Sequence, residues 1–160
     1  MAPLIILFST FAIVFLLDRF LLNCKLGTAF AGRAGMSAML ILISVSHFTN
    51  PELMVTMMPD IVPAKTEVVY LTGILEFAAA VGLLWERTAR VAAILLIVFF
   101  VAVLPANIVG SFKRVPLAGM DYGPWYLLFR VPLQIFFMWW VYYFGIRKPK
   151  LGANPNNVKR

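Results

Sequence analysis

The chain has 160 residues, of which 62% are hydrophobic and only 13% are charged, and its formal net charge is +7. A soluble domain carries about 25% charged residues, so this composition would leave large apolar patches exposed to water and excludes a soluble globular domain. Its high hydrophobicity also excludes a disordered chain, and the sequence therefore predicts an integral membrane protein.

Five hydrophobic stretches are long enough to cross a bilayer core of about 30 Å, which takes roughly 20 helical residues. We expect all five to be helices, because a single short chain without strand alternation cannot close a barrel. The spans are predicted at Leu4–Leu22, Ala31–Phe48, Glu67–Trp85, Val91–Val109 and Trp125–Gly145. The predicted fold class is an all-α membrane protein with five transmembrane helices.

The first span is predicted to stand apart from the other four, behind a polar, glycine-containing link over Asp18–Gly32. The stretch Ala29-Phe30-Ala31 resembles a signal-peptide cleavage site, but no positive residue precedes the apolar run, which favours a retained anchor. We therefore expect an N-terminal transmembrane anchor with its link at 1–28 and a four-helix membrane bundle at 29–146. Residues 147–160 are predicted to form a basic cytoplasmic tail.

The fourteen cations are distributed unequally between the two sides of the predicted bundle. The side with the larger share carries Arg19, Lys25, Arg33, Arg87, Arg90, Arg147, Lys148, Lys150, Lys159 and Arg160. The opposite side has Lys65, Lys113 and Arg114, and Arg130 lies inside a span. Cytoplasmic loops are enriched in Lys and Arg, so we expect a cytoplasmic C-terminus and, with five spans, an outer N-terminus. The net positive charge then reflects topology and contact with anionic lipids, not a nucleic-acid partner.

A short helix is predicted in the longest outer connection. Asn50-Pro51-Glu52 combines a capping residue, a proline at the first helical position and a carboxylate in the first turn. The helix continues through Leu53–Met58 and is stopped by Pro59 and Pro63. It is expected to lie at the interface, either as a lid over the bundle or as a packed connector.

Polar side chains inside the spans share one depth, between the midplane and the outer surface. They are His47, Glu76, Asn107, Arg130 and Gln134. Ionisable groups within a membrane face the bundle interior or an aqueous cavity. We therefore predict a polar pocket among four helices that opens outward, with walls that include Phe48, Tyr70, Phe77 and Phe100.

Helical spacing supports this pocket. Ser37, Ser44 and His47 recur on one face of the second span, where their hydroxyl and imidazole groups can join helices. Thr72 and Glu76 lie four residues apart on the third span, as do Arg130 and Gln134 on the fifth. Pro105 and Pro132 are expected to free the carbonyls of Val101 and Leu128 within the bundle.

The predicted pocket would suit an apolar molecule with one or two oxygen atoms. His47 and Glu76 are the candidate catalytic residues, since they could exchange protons. The candidate ligand-binding residues are Asn107, Arg130, Gln134 and Tyr70. A quinone fits this pattern, and a lipid or sterol-like molecule fits nearly as well.

Structural roles for the same residues remain open at this stage. Arg130 and Glu76 could form a buried ion pair that sets helix register. His47 could be a hydrogen-bonded residue at the span boundary, and Asn107 a cap or an interhelical contact. One histidine and scattered carboxylates do not make a ligand set, so no metal site is expected. The single Cys24 excludes an intrachain disulfide.

An ordered set of short motifs resembles the DoxX-like family of small bacterial membrane proteins over roughly residues 32–146. The motifs are Gly35 through His47-Phe48, Asn50-Pro51-Glu52, Met58-Pro59, Pro63, Tyr70 through Glu76, Gly82-Leu83-Leu84, Pro105-Ala106-Asn107-Ile108 and Arg130-Val131-Pro132-Leu133-Gln134. The resemblance implies a four-helix bundle core in a bacterial inner membrane. The polar signature of the family falls on His47, Glu76, Asn107, Arg130 and Gln134.

The resemblance also implies a range of functions. The namesake is similar to a membrane subunit of thiosulfate:quinone oxidoreductase, and other relatives are associated with oxidative-stress complexes. More distant relatives resemble receptor-assembly chaperones and sterol isomerases or sterol-binding proteins. We expect a quinone-binding membrane subunit of a redox complex, with a redox partner protein and no covalently bound cofactor. The alternatives are a non-catalytic chaperone or scaffold, and a sterol or lipid isomerase or lipid-binding protein.

Overall fold

The structure of the protein is a computed structural model that describes residues 2–116 and 119–147. Its α-helices, in chain order, are α1 Ala2–Phe20, α2 Gly27–Thr49, α3 Pro51–Met57, α4 Lys65–Leu84, α5 Glu86–Phe112 and α6 Trp125–Val141. A 3-10 turn at Met120–Tyr122 precedes α6, and a π-helical turn at Tyr142–Arg147 continues it. The predicted tail lies outside the described residues except for Arg147.

Five of the helices are long and apolar enough to cross a membrane: α1, α2, α4, α5, and α6 together with its π-helical turn. The described part of the chain contains no strand. These findings confirm the predicted all-α fold with five membrane-spanning helices. Helix α5 begins at Glu86, five residues before the predicted span at Val91–Val109. Hydropathy identifies only the apolar part of a helix, whereas backbone hydrogen bonds define where the helix begins.

The first helix packs against the bundle, which corrects the expectation that it stands apart. A Cβ added at Gly35 of α2 would lie 2.7 Å from the carbonyl oxygen of Leu7, so α1 and α2 approach closely. Leu7 is fully buried. The predicted division between 28 and 29 falls within the first turn of α2, and only residues 21–26 separate the two helices.

Asp18 explains why the polar link is shorter than expected. Its carboxylate is buried and accepts hydrogen bonds from the backbone N–H groups of Leu26 at 2.7 Å and Gly27 at 2.8 Å. A carboxylate at a helix N-terminus satisfies free N–H groups and interacts favourably with the helix dipole. Asp18 therefore connects the end of α1 to the beginning of α2.

Aromatic rings fasten α1 to the C-terminal helix as well. The ring of Phe11 lies 5.3 Å from that of Trp140 and 5.7 Å from that of Phe144. Trp140 is buried, and its indole N–H donates to the backbone carbonyl of Gly32 at 2.9 Å. The first span is thus part of the packed core.

Helices α2 and α4 run antiparallel in a register that side-chain hydrogen bonds define. The contacts join Ser37 Oγ to the Ala80 carbonyl at 2.8 Å, Ser44 Oγ to the Gly73 carbonyl at 2.9 Å, and His47 Nδ1 to the Val69 carbonyl at 3.0 Å. The one-face arrangement predicted for these three side chains is confirmed. Gly73 permits the approach, because a Cβ there would lie 2.8 Å from the His47 Cβ.

The short helix α3 begins at Pro51, as predicted, and crosses one end of the bundle, which we call the α3 end. Asn50 does not cap it, since its side-chain Nδ2 donates to Thr49 Oγ1 at 3.0 Å. The Asn50 N–H still bonds the Ser46 carbonyl and ends α2. Asn50 is the single residue between α2 and α3, and its side chain bonds Thr49 instead of the free N–H groups of α3.

Candidate functional site

A cavity of about 240 Å³ lies at the α3 end, between α2, α4, α5 and α6 and beneath α3. Four of the predicted polar residues line it, each from a different membrane-spanning helix: His47, Glu76, Asn107 and Arg130. Thr72 and Tyr126 add two hydroxyl groups to its surface. The structure thus brings widely separated polar residues to one buried space.

His47 and Glu76 form a close pair in this cavity. His47 Nε2 lies 3.2 Å from Glu76 Oε2, and both side chains are largely buried. On the other side of the ring, Nδ1 lies 3.0 Å from the Val69 carbonyl and 3.1 Å from Thr72 Oγ1. The imidazole is therefore held on both nitrogen atoms.

The hydrogen-bond pattern assigns a proton to Nδ1 of the imidazole. The Val69 carbonyl can only accept, and it already accepts from Thr72 Oγ1 at 2.8 Å, so Nδ1 is the donor towards both oxygen atoms. A favourable contact between Nε2 and Oε2 then requires one more proton, on His47 or on Glu76. The pair can therefore hold or release a proton next to the cavity.

Arg130 is not the partner of Glu76, which corrects the ion pair considered from the sequence. Among the described residues no carboxylate lies within ion-pair distance of Arg130, and its buried Nε has no hydrogen-bond partner. Glu76 Oε2 likewise has no hydrogen bond that satisfies both distance and angle within the described chain. Because His47 reaches Glu76 through the close approach at Gly73, Arg130 is left facing the cavity by itself.

Asn107 bonds within its own helix. Its Nδ2 donates to the Val103 carbonyl at 3.1 Å, and its backbone carbonyl accepts from Ser111 Oγ at 2.8 Å. It is therefore neither a cap nor an interhelical contact. Asn107 is buried and contributes to the cavity wall.

Two predicted ligand-binding residues, Gln134 and Tyr70, lie outside the cavity. Gln134 is buried one turn beyond Arg130, and its Nε2 donates to the carbonyl of Phe100. Pro105 was expected to free the carbonyl of Val101, the next residue along the chain. Tyr70 stacks on Phe48, with ring centroids 5.7 Å apart, on the bundle surface. Gln134 instead joins α6 to α5, and Tyr70 covers α2.

None of the aromatic walls predicted for the cavity lines it. Phe48, Tyr70 and Phe77 are between about one third and one half exposed, and Phe100 packs against Phe137 in the core. Phe48 and Phe77 directly follow His47 and Glu76. Successive residues on a helix point about 100° apart, so a side chain next to a cavity residue turns away from the cavity.

Methionine side chains form the apolar wall instead, a feature the sequence reading missed. They are Met54 and Met57 of α3, Met58 at its end, and Met120 of the 3-10 turn. The spacing of the first three could have indicated a common helix face, whereas no spacing places Met120 beside them. A Cβ added at Gly110 would lie 2.8 Å from Met120 Sδ and 3.0 Å from Met57 Cγ, so that glycine admits both side chains.

These features define a helical membrane protein with a small, mostly apolar cavity beneath α3 that four polar side chains line. Comparison with known families adds that residues 36–145 match a family described as a domain of unknown function, DUF8561. This match covers more than half of the chain, and the protein belongs to that family. The four polar residues from the membrane-spanning helices lie within the matched segment. No curated protein and no solved structure matches the chain significantly.

Proposed function

We propose that this protein binds the headgroup of a quinone, or a similar apolar molecule with two oxygen atoms, in the cavity at the α3 end. The observation that carries the proposal is that Arg130 lines the cavity, and that its buried Nε has no hydrogen-bond partner among the described residues. Buried polar groups are costly unless they are paired. A carbonyl oxygen of a ligand would accept from Arg130.

The chemistry of the lining suits a quinone. Arg130 can donate to a carbonyl oxygen but cannot accept, whereas the His47 and Glu76 pair can donate or accept one proton. Quinone reduction adds two electrons and two protons, and the hydroxyl groups of the quinol would then donate towards Glu76. The methionine wall is apolar and adaptable, and its sulfur atoms make favourable contacts with the edges of aromatic rings.

The volume accommodates one substituted ring. An apolar cavity of about 150 Å³ holds a benzene molecule, and this cavity has a volume of about 240 Å³. It therefore suits a quinone headgroup whose chain extends outside the cavity.

We further propose that the protein acts as the quinone-binding membrane subunit of a redox complex, with electrons supplied by a partner protein. The resemblance to DoxX-like proteins over roughly residues 32–146 supports this role. On this basis we place the protein in a bacterial inner membrane. The excess of cations at the end opposite α3 supports a cytoplasmic C-terminus and a cavity on the outer side.

A non-catalytic scaffold is the second candidate, and the contacts of His47 favour it. Its contact with the Val69 carbonyl joins α2 to α4, as the hydrogen bonds of Ser37 and Ser44 do deeper in the bundle. In a scaffold the polar cluster would stabilise the helices without binding a small molecule. The two functions predict different effects of replacing Arg130 on quinone affinity and on stability.

The test is equilibrium binding of a short-chain ubiquinone to the purified protein in lipid nanodiscs. Arg130→Gln should weaken binding by about tenfold or more, equivalent to about 1.4 kcal/mol, because a quinone carbonyl loses its charged donor. Its melting temperature without ligand should not fall, since Arg130 makes no ion pair with the described residues. Arg114→Gln is the matched control, because Arg114 is exposed at the same end.

The result separates the two candidates. Unchanged quinone affinity in folded Arg130→Gln, or no saturable binding to the unaltered protein, would overturn the quinone proposal. A marked loss of stability in Arg130→Gln without any quinone binding would support the scaffold.

A further inference from the structure

A second, larger space lies on the surface of the bundle between α4 and α5, and it is separate from the cavity at the α3 end. This groove has a volume of about 950 Å³ and is lined almost entirely by apolar side chains. Small residues, including Ala78, Gly82 and Ala92, allow the two helices to approach closely along it. A Cβ added at Gly82 would lie 3.0 Å from that of Ala92.

The length of the groove matches one leaflet of a bilayer. It extends from Leu75 of α4 to Trp85, directly after the end of α4, which at a rise of about 1.5 Å per residue corresponds to about 15 Å. The hydrocarbon core of a bilayer is about 30 Å thick. The groove therefore runs from the α4–α5 connection at Trp85 to about the middle of the membrane.

The end of the groove nearest the membrane surface is polar and positively charged. Arg87 and Thr88 line it there beside the exposed ring of Trp85. A second depression of about 510 Å³ adjoins the groove and shares Val81, Trp85 and Arg87 with it. The two spaces thus adjoin at a cation and an aromatic ring, the residue types that favour the membrane interface.

One carboxylate also lines the second depression. Glu86 lies there, and Arg33 Nη2 of α2 approaches its Oε1 to 4.0 Å, which offsets the negative charge. Arg87 makes no ion pair with a described carboxylate. The guanidinium of Arg87 is therefore the charge that a bound headgroup would meet.

We propose that this groove is a binding site for an anionic glycerophospholipid, with one acyl chain between α4 and α5 and the phosphate at Arg87. An extended acyl chain fits along an apolar groove of one-leaflet length, and a guanidinium pairs well with a phosphate. Interfacial cations of this kind attract anionic lipids. The proposal does not depend on the function of the cavity.

A second copy of the chain is the competing occupant of such a groove. A spanning helix from another copy would run across the whole membrane, whereas this groove ends near the middle. A helix would also place apolar side chains against Arg87. Both features favour a lipid. The mass of the complex distinguishes a bound lipid from a second copy of the chain.

Native mass spectrometry of the full chain in detergent tests the proposal. Phosphatidylglycerol and phosphatidylcholine with identical chains are titrated separately. We expect phosphatidylglycerol to bind more tightly, and Arg87→Gln to lower its affinity by about fivefold, as expected for one interfacial cation. Ala78→Phe should weaken both lipids, because Ala78 is an exposed small residue of the groove wall.

Two variants on α5 act as controls for Arg87→Gln and Ala78→Phe. Arg90→Gln removes an exposed cation, and Ala102→Phe adds a ring on an exposed surface, and neither residue lines the groove. Equal binding of the two lipids, equal losses in Arg87→Gln and Arg90→Gln, or equal losses in Ala78→Phe and Ala102→Phe would overturn the proposal. A dimer mass that displaces lipid would overturn it in favour of a second copy.

Discussion

His47 Nε2 of α2 and Glu76 Oε2 of α4 lie 3.2 Å apart at the wall of a buried cavity. This contact occupies the carboxylate that, on sequence grounds, was the natural partner of Arg130. It therefore leaves a guanidinium facing the cavity and places a transferable proton beside it. Both consequences follow from the close packing of α2 on α4 at Gly73.

Glu76→Gln should destabilise the protein and weaken quinone binding. The amide cannot carry the negative charge that a protonated His47 requires, and breaking a buried charged contact in this way costs about 3–5 kcal/mol at most. We expect a smaller loss of about 1–3 kcal/mol, because glutamine can still donate to or accept from Nε2. Thermal unfolding in detergent measures it, and the exposed Glu52→Gln serves as the control.

His47 should respond to the same change. In the unaltered protein Nε2 lies 3.2 Å from a carboxylate oxygen, whereas in Glu76→Gln a neutral His47 can accept from the amide. Nitrogen NMR of labelled His47 reports its protonation. An unchanged spectrum and an unchanged unfolding temperature in Glu76→Gln would show that the pair does not form in solution.

Gly73→Ala should separate α2 from α4. The added Cβ would lie 2.8 Å from the His47 Cβ and 3.2 Å from a ring carbon of Phe48, so the helices must shift. Overpacking of this kind costs about 1–3 kcal/mol. Unfolding experiments should show this loss, while the exposed Ala102→Val should have almost no effect. Equal stability of the two variants would contradict the close helix contact.

Asp18→Ala should weaken the connection between α1 and α2. The change removes two hydrogen bonds to backbone N–H groups at the beginning of α2, and loss of such a cap costs about 0.5–2 kcal/mol. Limited proteolysis within 21–26 should accelerate, and the unfolding temperature should fall. Asp121→Ala is the control, because Asp121 is exposed outside the spans and makes no ion pair with a described residue. A proteolysis rate equal to that of the control would refute this role.

Asp60 should give a small, acid-dependent contribution to stability. A hydrogen bond from Lys65 and the nearby charge of Lys113 hold the pKa of Asp60 below its ordinary value. The contribution is present above the ordinary pKa of about 3.9 and is lost as the pH falls through the lowered value. NMR titration of Asp60 should show the lower pKa, and Lys65→Gln should move it back towards the ordinary value.

The span prediction succeeded because it rests on local properties of the chain. A run of apolar residues of membrane-spanning length must form a helix whatever its neighbours are, and Pro51 limits where α3 can begin. Ser37, Ser44 and His47 share a face because the helical repeat places them there. For the same reason the sequence indicated which polar residues lie at one depth.

The partners of those residues could not be derived in this way. Whether Glu76 meets His47 or Arg130 depends on the rotation and separation of three helices, and a single glycine at 73 decides it. The methionine wall depends on Met120, which approaches Met57 only because the connection before α6 folds back over Gly110. Distances between helices are set by packing and are not encoded in the period of one helix.

The sequence by itself determined that this chain is a helical membrane protein with few charges, and which of those charges lie within its spans. Composition and helical periodicity are sufficient for this, because the bilayer constrains each span separately. Only the tertiary structure decided that α1 joins the core, that His47 pairs with Glu76, and that Arg130 faces the cavity without an ionic partner among the described residues. These outcomes depend on contacts between segments distant in sequence, where close packing allows one arrangement and excludes the others.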